Sequence, residues 1–181
     1  MPCSVNRSIA LLSRALLALY TLLPLCTSCA TKPAAVPASF QSPLLEKPLP
    51  EFRRTALDGS RVDTKELKGR VVVIELFAEH CVPCVTSLPA AEAAHRSRPT
   101  AAFVGLSEDD GADGAQRMAT RHGLTFPVVH DAGRVLAGRL RLTELPATVI
   151  ADEKGTVRWV GTRPMTTDEL TLVIDHVAAS P

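Results

Sequence analysis

Aromatic side chains are scarce in this chain, 4% of 181 residues, and Trp159 is its single tryptophan. So few rings argue against a base-stacking platform or a ring-lined binding groove. An excess of charge is missing too. Twenty basic residues face 19 acidic ones, for a formal charge of +1, which gives no electrostatic reason to expect nucleic acid or an acidic partner. No internal repeat is present. Cysteine is sparse beyond the N-terminus: Cys3, Cys26 and Cys29 fall in the first 29 residues, and Cys81 and Cys84 are the other two. A chain processed near its start would carry one cysteine pair and no stray thiol.

The pair lies in Cys81-Val82-Pro83-Cys84. It follows the apolar run Val71-Val72-Val73-Ile74-Glu75-Leu76-Phe77 and opens a helix-forming segment. A buried strand ending in Cys-x-x-Cys at a helix N-terminus is the layout of a thiol–disulfide redox site. The helix end supplies partial positive charge and free N–H groups, which favour a thiolate on the first cysteine. Pro83 suits a first turn, where its missing N–H is not needed. Two other readings stay open at this point. Half a zinc site would need two more ligands of suitable spacing, and neither a second Cys-x-x-Cys nor His80 with His95 supplies them. An inert structural disulfide would be unusual at a helix start. Neither a metal nor a cofactor is expected.

The first 28 residues read as an export signal. Arg7 and Arg14 provide positive charge without an acidic residue, and the apolar stretch 15–25 is too short to span a bilayer comfortably. The arginines are not adjacent, which argues against a twin-arginine signal. Leu25-Cys26-Thr27-Ser28-Cys29-Ala30 resembles a bacterial lipoprotein processing site with Cys29 as the lipidated N-terminus, although Cys26 stands where that pattern has an aliphatic residue. Ordinary cleavage or an uncleaved anchor are the alternatives, and each places the rest of the chain outside the cytoplasm. Residues 29–50, with Pro33, Pro37, Pro43, Pro48 and Pro50, read as an extended tether.

Residues 51–181 read as one α/β domain. Asp58-Gly59 marks a hairpin between residues 52–55 and 60–62. A short helix is expected over Lys65–Lys68, a buried strand over Val71–Phe77 and a helix over Val82–Arg96, kinked at Pro89. Further strands are expected at 101–106 and 126–130, with a helix at 112–122 and a helical turn or two at 131–139. A hairpin pairs 147–151 with 156–160. Thr166 to Glu169 caps a last helix ending near Ala178, whose Leu170, Val173, Ile174 and Val177 form one apolar face. Strands alternating with helices imply a mixed sheet with helices on both faces. His95, His122, His130 and His176 read as surface residues, and Trp159 as hairpin packing.

These stretches resemble the TlpA/ResA-like branch of the thioredoxin-fold family. The matching residues are Val71 to Cys84, then Thr125-Phe126-Pro127-Val128-Val129 with Asp131, then Leu145-Pro146-Ala147-Thr148-Val149-Ile150-Ala151-Asp152 with Gly155. They follow the family's order over residues 45–178. The resemblance implies a thioredoxin fold with an N-terminal hairpin and a central βα insertion between Leu106 and Leu140. It makes Cys81 the more exposed thiol and the nucleophile, and Cys84 the resolving thiol. Pro146 matches the family's cis-proline, whose preceding backbone can pair with an extended substrate. Glu75 matches an acidic residue behind the dithiol, thought to pass a proton to or from the second cysteine. Burial of that residue would raise its pKa. His80 departs from the family's tryptophan and either modulates the Cys81 thiolate or is a plain loop residue.

The resemblance implies a monomeric, membrane-tethered reductase of disulfides in exported proteins, such as apocytochrome c. A membrane thiol carrier would supply its electrons, because the compartment is oxidising. A disulfide oxidase or isomerase would use the same residues. A peroxiredoxin-like peroxidase would carry threonine and proline ahead of the cysteine, where this chain has Phe77-Ala78-Glu79-His80. A binding lipoprotein with a passive dithiol is the non-enzymatic alternative.

Overall fold

The computed structural model describes residues 35–180. The expected signal segment and Cys29 lie outside the described residues. Strand β3 (Val72–Phe77) is buried along its whole length, as an apolar strand in the middle of a sheet must be. It pairs in parallel with β4 (Ala102–Ser107) and antiparallel with β6 (Ala147–Ala151). With β5 (Val128–His130) and β7 (Val157–Gly161) the sheet order is β5-β4-β3-β6-β7. A separate hairpin pairs β1 (Arg53–Thr55) with β2 (Arg61–Asp63), as the Asp58-Gly59 turn predicts.

The two-residue period of β3 divides the core. Val73 and Phe77 pack toward α1 (Cys84–Ser97), α2 (Ala112–Arg121) and α4 (Thr167–Ala178), through Leu88, Ala91, Met118, Val173 and Val177. Ile74 and Leu76 face the other way, onto Leu44, Phe52, Val62, Leu136 and Leu140. That second face is covered by the β1–β2 hairpin, the segment before it and the short α3 (Val135–Arg139). Glu75 lies between Val73 and Phe77 in the alternation, so it shares their face.

Several local expectations change. Residues 65–68 form turns rather than a helix. A four-residue segment cannot offset the cost of helix nucleation, and its neighbours are committed elsewhere. Asp63 accepts from Arg53 Nε at 2.7 Å and from Lys65 N–H at 3.0 Å, while Gly69 N–H donates to Glu153 O at 2.8 Å. Helix α1 begins at Cys84, two residues late, after a tight turn in which Cys84 N–H donates to Cys81 O at 3.1 Å. Residues 131–139 split into a 3-10 turn (Ala132–Arg134) and α3, where the Asp131 carboxylate accepts from Leu136 N–H and Ala137 N–H.

The tether reading fails for residues 35–50. Phe40 N–H donates to Val160 O at 2.7 Å, Glu46 N–H to Val157 O at 2.9 Å, Val157 N–H to Lys47 O at 2.9 Å and Leu49 N–H to Gly155 O at 2.8 Å. Leu44 and Leu49 are buried. Strand β7 is the sheet edge, and its free backbone groups attract any extended segment within reach. Trp159 secures the strap, its Nε1–H donating to Pro37 O at 3.0 Å. Its ring also lies over Gly161, where an added Cβ would fall 2.2 Å from the ring.

Candidate active site

Cys81 and Cys84 are joined in a disulfide, with their Cα atoms 5.3 Å apart. Cys84 opens α1 and is fully buried, while Cys81 lies just before the helix and retains 6% exposure. The Cys84 N–H donates to Cys81 Sγ at 3.2 Å. The first turn of α1 contains no acidic residue, so nothing there offsets the positive helix end that stabilises negative charge on this sulfur. Val82 is 80% exposed and Val85 48%, giving the dithiol an apolar collar at the surface.

Glu75 is buried in β3, the strand that leads to the pair. The register of β3 and β6 sets it directly opposite Thr148, whose Oγ1–H donates to its carboxylate at 2.6 Å. Burial raises its pKa to about 7, against the lowering effects of the Thr148 and Ser87 hydroxyls. Ser87 stands one helical turn beyond Cys84, so its hydroxyl links the carboxylate's surroundings to the helix that carries the dithiol. A group that changes protonation near neutrality can accept or return a proton there. Pro146 precedes β6 and is buried, and the Leu145–Pro146 peptide bond is cis. It stands two residues before Thr148, the cross-strand partner of Glu75.

His80 is exposed. The loop that carries it is clamped on both sides of Glu79. Glu79 N–H donates to Asp109 Oδ1 at 2.8 Å, and Arg117 holds the Glu79 carboxylate through two bonds of 2.8 and 2.5 Å. Asp109 is itself fixed by the Ser107 hydroxyl at 2.9 Å. Gly114 lets α2 approach it, since a Cβ there would fall 2.7 Å from Asp109 Cγ.

The comparisons with known proteins agree with this geometry. The Redoxin family model matches residues 45–174. The chain belongs to the Redoxin family. Among its Redoxin relatives, thiol-disulfide oxidoreductase ResA of Bacillus thuringiensis is 26% identical over 113 residues, covering 61% of this chain and 65% of the relative. That match therefore spans a little less than two thirds of the relative's length. The soluble secreted antigen MPT53 of Mycobacterium bovis is 27% identical over 122 residues, 66% of this chain and 70% of the relative. A solved structure of a secreted Mycobacterium tuberculosis disulfide oxidoreductase homologous to E. coli DsbE superposes with a TM-score of 0.64 at 25% identity, covering 69% of this chain and 95% of that one. Within the Redoxin family, the chain is of the TlpA/ResA-like, thioredoxin-fold type.

Of the sequence-predicted residues, Cys81 and Cys84 are joined at the head of α1, Glu75 is buried in β3 opposite Thr148, and Pro146 immediately precedes β6. His80 precedes Cys81 and is at the surface. The sequence reading missed Thr148, though it lies two residues beyond Pro146 and the antiparallel register pairs it with Glu75. It also missed the Glu79–Asp109–Arg117 clamp, in which Asp109 lies 30 and Arg117 38 residues from Glu79. Three of the four scattered histidines are not plain surface residues. His95 packs edge-on against Phe103 and Phe126, at 5.2 and 5.6 Å between ring centroids. His130 Nε2 lies 2.7 Å from Asp109 O. His122 is half-buried, and that burial lowers its pKa. Among the described residues no helix is long and apolar enough to cross a membrane.

Proposed function

We propose that this chain is a thiol–disulfide oxidoreductase acting on protein disulfides outside the cytoplasm, most naturally as a reductase. The observation that carries the reading is the Cys81 sulfur accepting an N–H at the head of α1, with Glu75 buried in β3. In the reducing direction the Cys81 thiolate attacks one sulfur of a substrate disulfide. A Cys81–substrate disulfide forms, and the other substrate sulfur leaves as a thiolate that takes a proton from water. Glu75 accepts the proton of the Cys84 thiol, and the Cys84 thiolate attacks Cys81 Sγ. The mixed disulfide breaks, and the second substrate sulfur leaves and is protonated. Two electrons reach the substrate, and the protein is left with the Cys81–Cys84 disulfide. The cis-Pro146 segment offers backbone to an extended substrate.

The ResA and M. tuberculosis relatives, both thiol–disulfide or disulfide oxidoreductases by name, support the exchange chemistry, and the secreted M. bovis relative supports the location. Lipidation at Cys29 would hold this monomer at a membrane, where a thiol carrier would re-reduce it. Proteins awaiting cysteine reduction, such as apocytochrome c, are its proposed substrates. Equilibration of residues 35–181 against glutathione or dithiothreitol buffers tests the direction. A potential near or below about −270 mV supports a reductant, and one near about −120 mV makes the protein an oxidase instead. A Cys29→Ala chain that stays in the membrane fraction would overturn the lipid anchor.

A further inference from the structure

Cys81 is carried by a short loop, residues 78–80, that leaves the sheet at Phe77. One bond closes the loop on itself, Cys81 N–H donating to Ala78 O at 3.1 Å. The segment after β4 holds it from outside. Glu108 N–H donates to Phe77 O at 2.9 Å and so carries the β3–β4 pairing one residue past the strands. Asp109 Oδ1 then accepts Glu79 N–H at 2.8 Å, two residues before the attacking cysteine.

Asp109 is itself fixed on several sides. It is buried. Its Oδ2 accepts the Ser107 hydroxyl at 2.9 Å, and its own N–H donates to Ser107 Oγ at 3.2 Å. Its carbonyl oxygen lies 2.7 Å from His130 Nε2 on β5; a carbonyl can only accept, so that nitrogen carries the proton. Asp131 N–H donates to Ser107 O at 2.8 Å. The Ser107–Asp109 segment is thus braced from β5 on one side and grips the Cys81 loop on the other. Gly114 of α2 closes the remaining side, since a Cβ there would fall 2.7 Å from Asp109 Cγ.

We propose that Asp109 is a positioning residue for the Cys81 nucleophile. The inference rests on the exchange reading above and names the group that keeps the attacking sulfur in place. The Cys81 thiolate is stabilised only while its sulfur stays within reach of the Cys84 N–H at the head of α1, a contact of 3.2 Å. Such a bond weakens steeply as its distance and angle depart from the optimum. A loop released at Glu79 is free to rotate and to carry the sulfur out of reach. Asp109 acts through its acceptor oxygen and not through its charge, because a negative charge near the sulfur would by itself oppose the thiolate. The two effects have opposite signs and are separable.

The test is the pH dependence of iodoacetamide alkylation at Cys81, followed on the full chain in the Cys84→Ser background by mass spectrometry of the Cys81 peptide. Asp109→Ala should move the midpoint to higher pH and lower the rate below it about two- to tenfold, the range of one net hydrogen bond. Asp109→Asn keeps an oxygen for Glu79 N–H and removes the charge, so it should restore the wild-type midpoint or move it lower. The other charged and titratable groups lining the cleft beside the loop, Glu79, His80, Glu108, Asp110, Asp113 and Arg117, are the same in all these proteins. An Asp109→Ala midpoint at or below the wild-type one, or an Asp109→Asn midpoint raised as far as that of Asp109→Ala, overturns the assignment. If Asp109→Ala fails to fold, Gly114→Ala takes its place. Its added Cβ displaces the Asp109 carboxylate while every hydrogen-bonding group remains, so the same rise is expected and an unchanged midpoint overturns the assignment. Exchange is measured separately, with Cys84 intact, on a disulfide-bonded peptide. A wild type that reduces the peptide leaves the exchange reading standing whatever the alkylation shows, and one that does not overturns that reading and this one with it.

Discussion

The two ends of α1 each meet a buried carboxylate, and the surroundings treat them in opposite ways. At the N-terminal end Glu75 is 2% exposed and receives Thr148 Oγ1–H, and burial pushes its pKa up to about 7. Toward the C-terminal end Glu92 is 6% exposed. It receives Thr125 N–H at 2.8 Å, Thr125 Oγ1–H at 2.7 Å and Arg96 Nε–H at 2.6 Å. Burial pushes against Glu92 as well, but those donors outweigh it and hold its pKa below the usual carboxylate value. Similar surface exposure thus goes with a carboxyl that titrates near neutrality at one end and one held below the usual carboxylate range at the other; the deeper burial of Glu75 and the charged and N–H donors on Glu92 together decide which. Glu92 ties α1 to the loop before β5; Glu75 stays available for chemistry.

The largest expected effect lies at the reactive end. Cys81→Ser should abolish exchange with any disulfide substrate, because a serine hydroxyl cannot replace a thiolate as the attacking group. Cys84→Ser should keep the first attack and accumulate mixed disulfides on non-reducing gels. A Cys84→Ser protein that accumulates none would mark the dithiol as passive and remove the functional contrast between the ends of the helix.

Glu75→Gln sharpens the contrast in stability. The folded chain holds the Glu75 proton more tightly than the unfolded chain, whose carboxyl titrates near 4.5. The stability tied to that proton is complete below pH 4.5 and is lost as the pH rises through 7. The loss approaches about 3 kcal/mol. Urea midpoints across this window should show the wild type falling relative to Glu75→Gln, and parallel curves would contradict the raised pKa.

Glu92→Gln should show the reverse sign. The contribution of Glu92 is present above about pH 4.5 and disappears as the pH falls, so the variant should lose about 2 kcal/mol at pH 7 and little in acid. Its exchange rate should be unchanged. A drop in exchange rate at full folding would mean that the two ends are coupled.

Thr148→Val should have the smallest effect, about 1–2 kcal/mol above pH 7, where the charged Glu75 loses its donor. The pH profile of the resolving step should move to higher pH in the same variant. A profile that stays in place would show that Thr148 does not tune Glu75.

Much of the fold was legible because its signals are local. The unbroken apolar run at β3, the Asp58-Gly59 turn and the Thr166/Glu169 capping box each sit within a few residues. The capping box forms as expected, with Glu169 N–H donating to Thr166 Oγ1 at 3.2 Å. The errors concern segments whose state is set by distant partners. Proline-rich composition suggested a free tether over 35–50, but the open edge of β7 lies within reach and captures it. Lys65–Lys68 had a cap and a terminating glycine, but Asp63 is engaged by Arg53 and Gly69 by Glu153, and the segment between them stays in turns. His95 and His130 carry no periodic mark and acquire their roles from Phe103, Phe126 and Asp109.

The sequence alone determined the strand-to-helix placement of Cys81 and Cys84, the lone carboxyl in an apolar strand and the proline before β6, because each depends on neighbours a few positions away. Only the tertiary structure decided what Glu75 can do, because its proton affinity depends on burial under α1 and on Thr148, 73 residues away. The clamp on the loop before Cys81 is a tertiary product as well. It exists because α2 and the segment after β4 fold back against that loop, and no spacing along the chain encodes that approach.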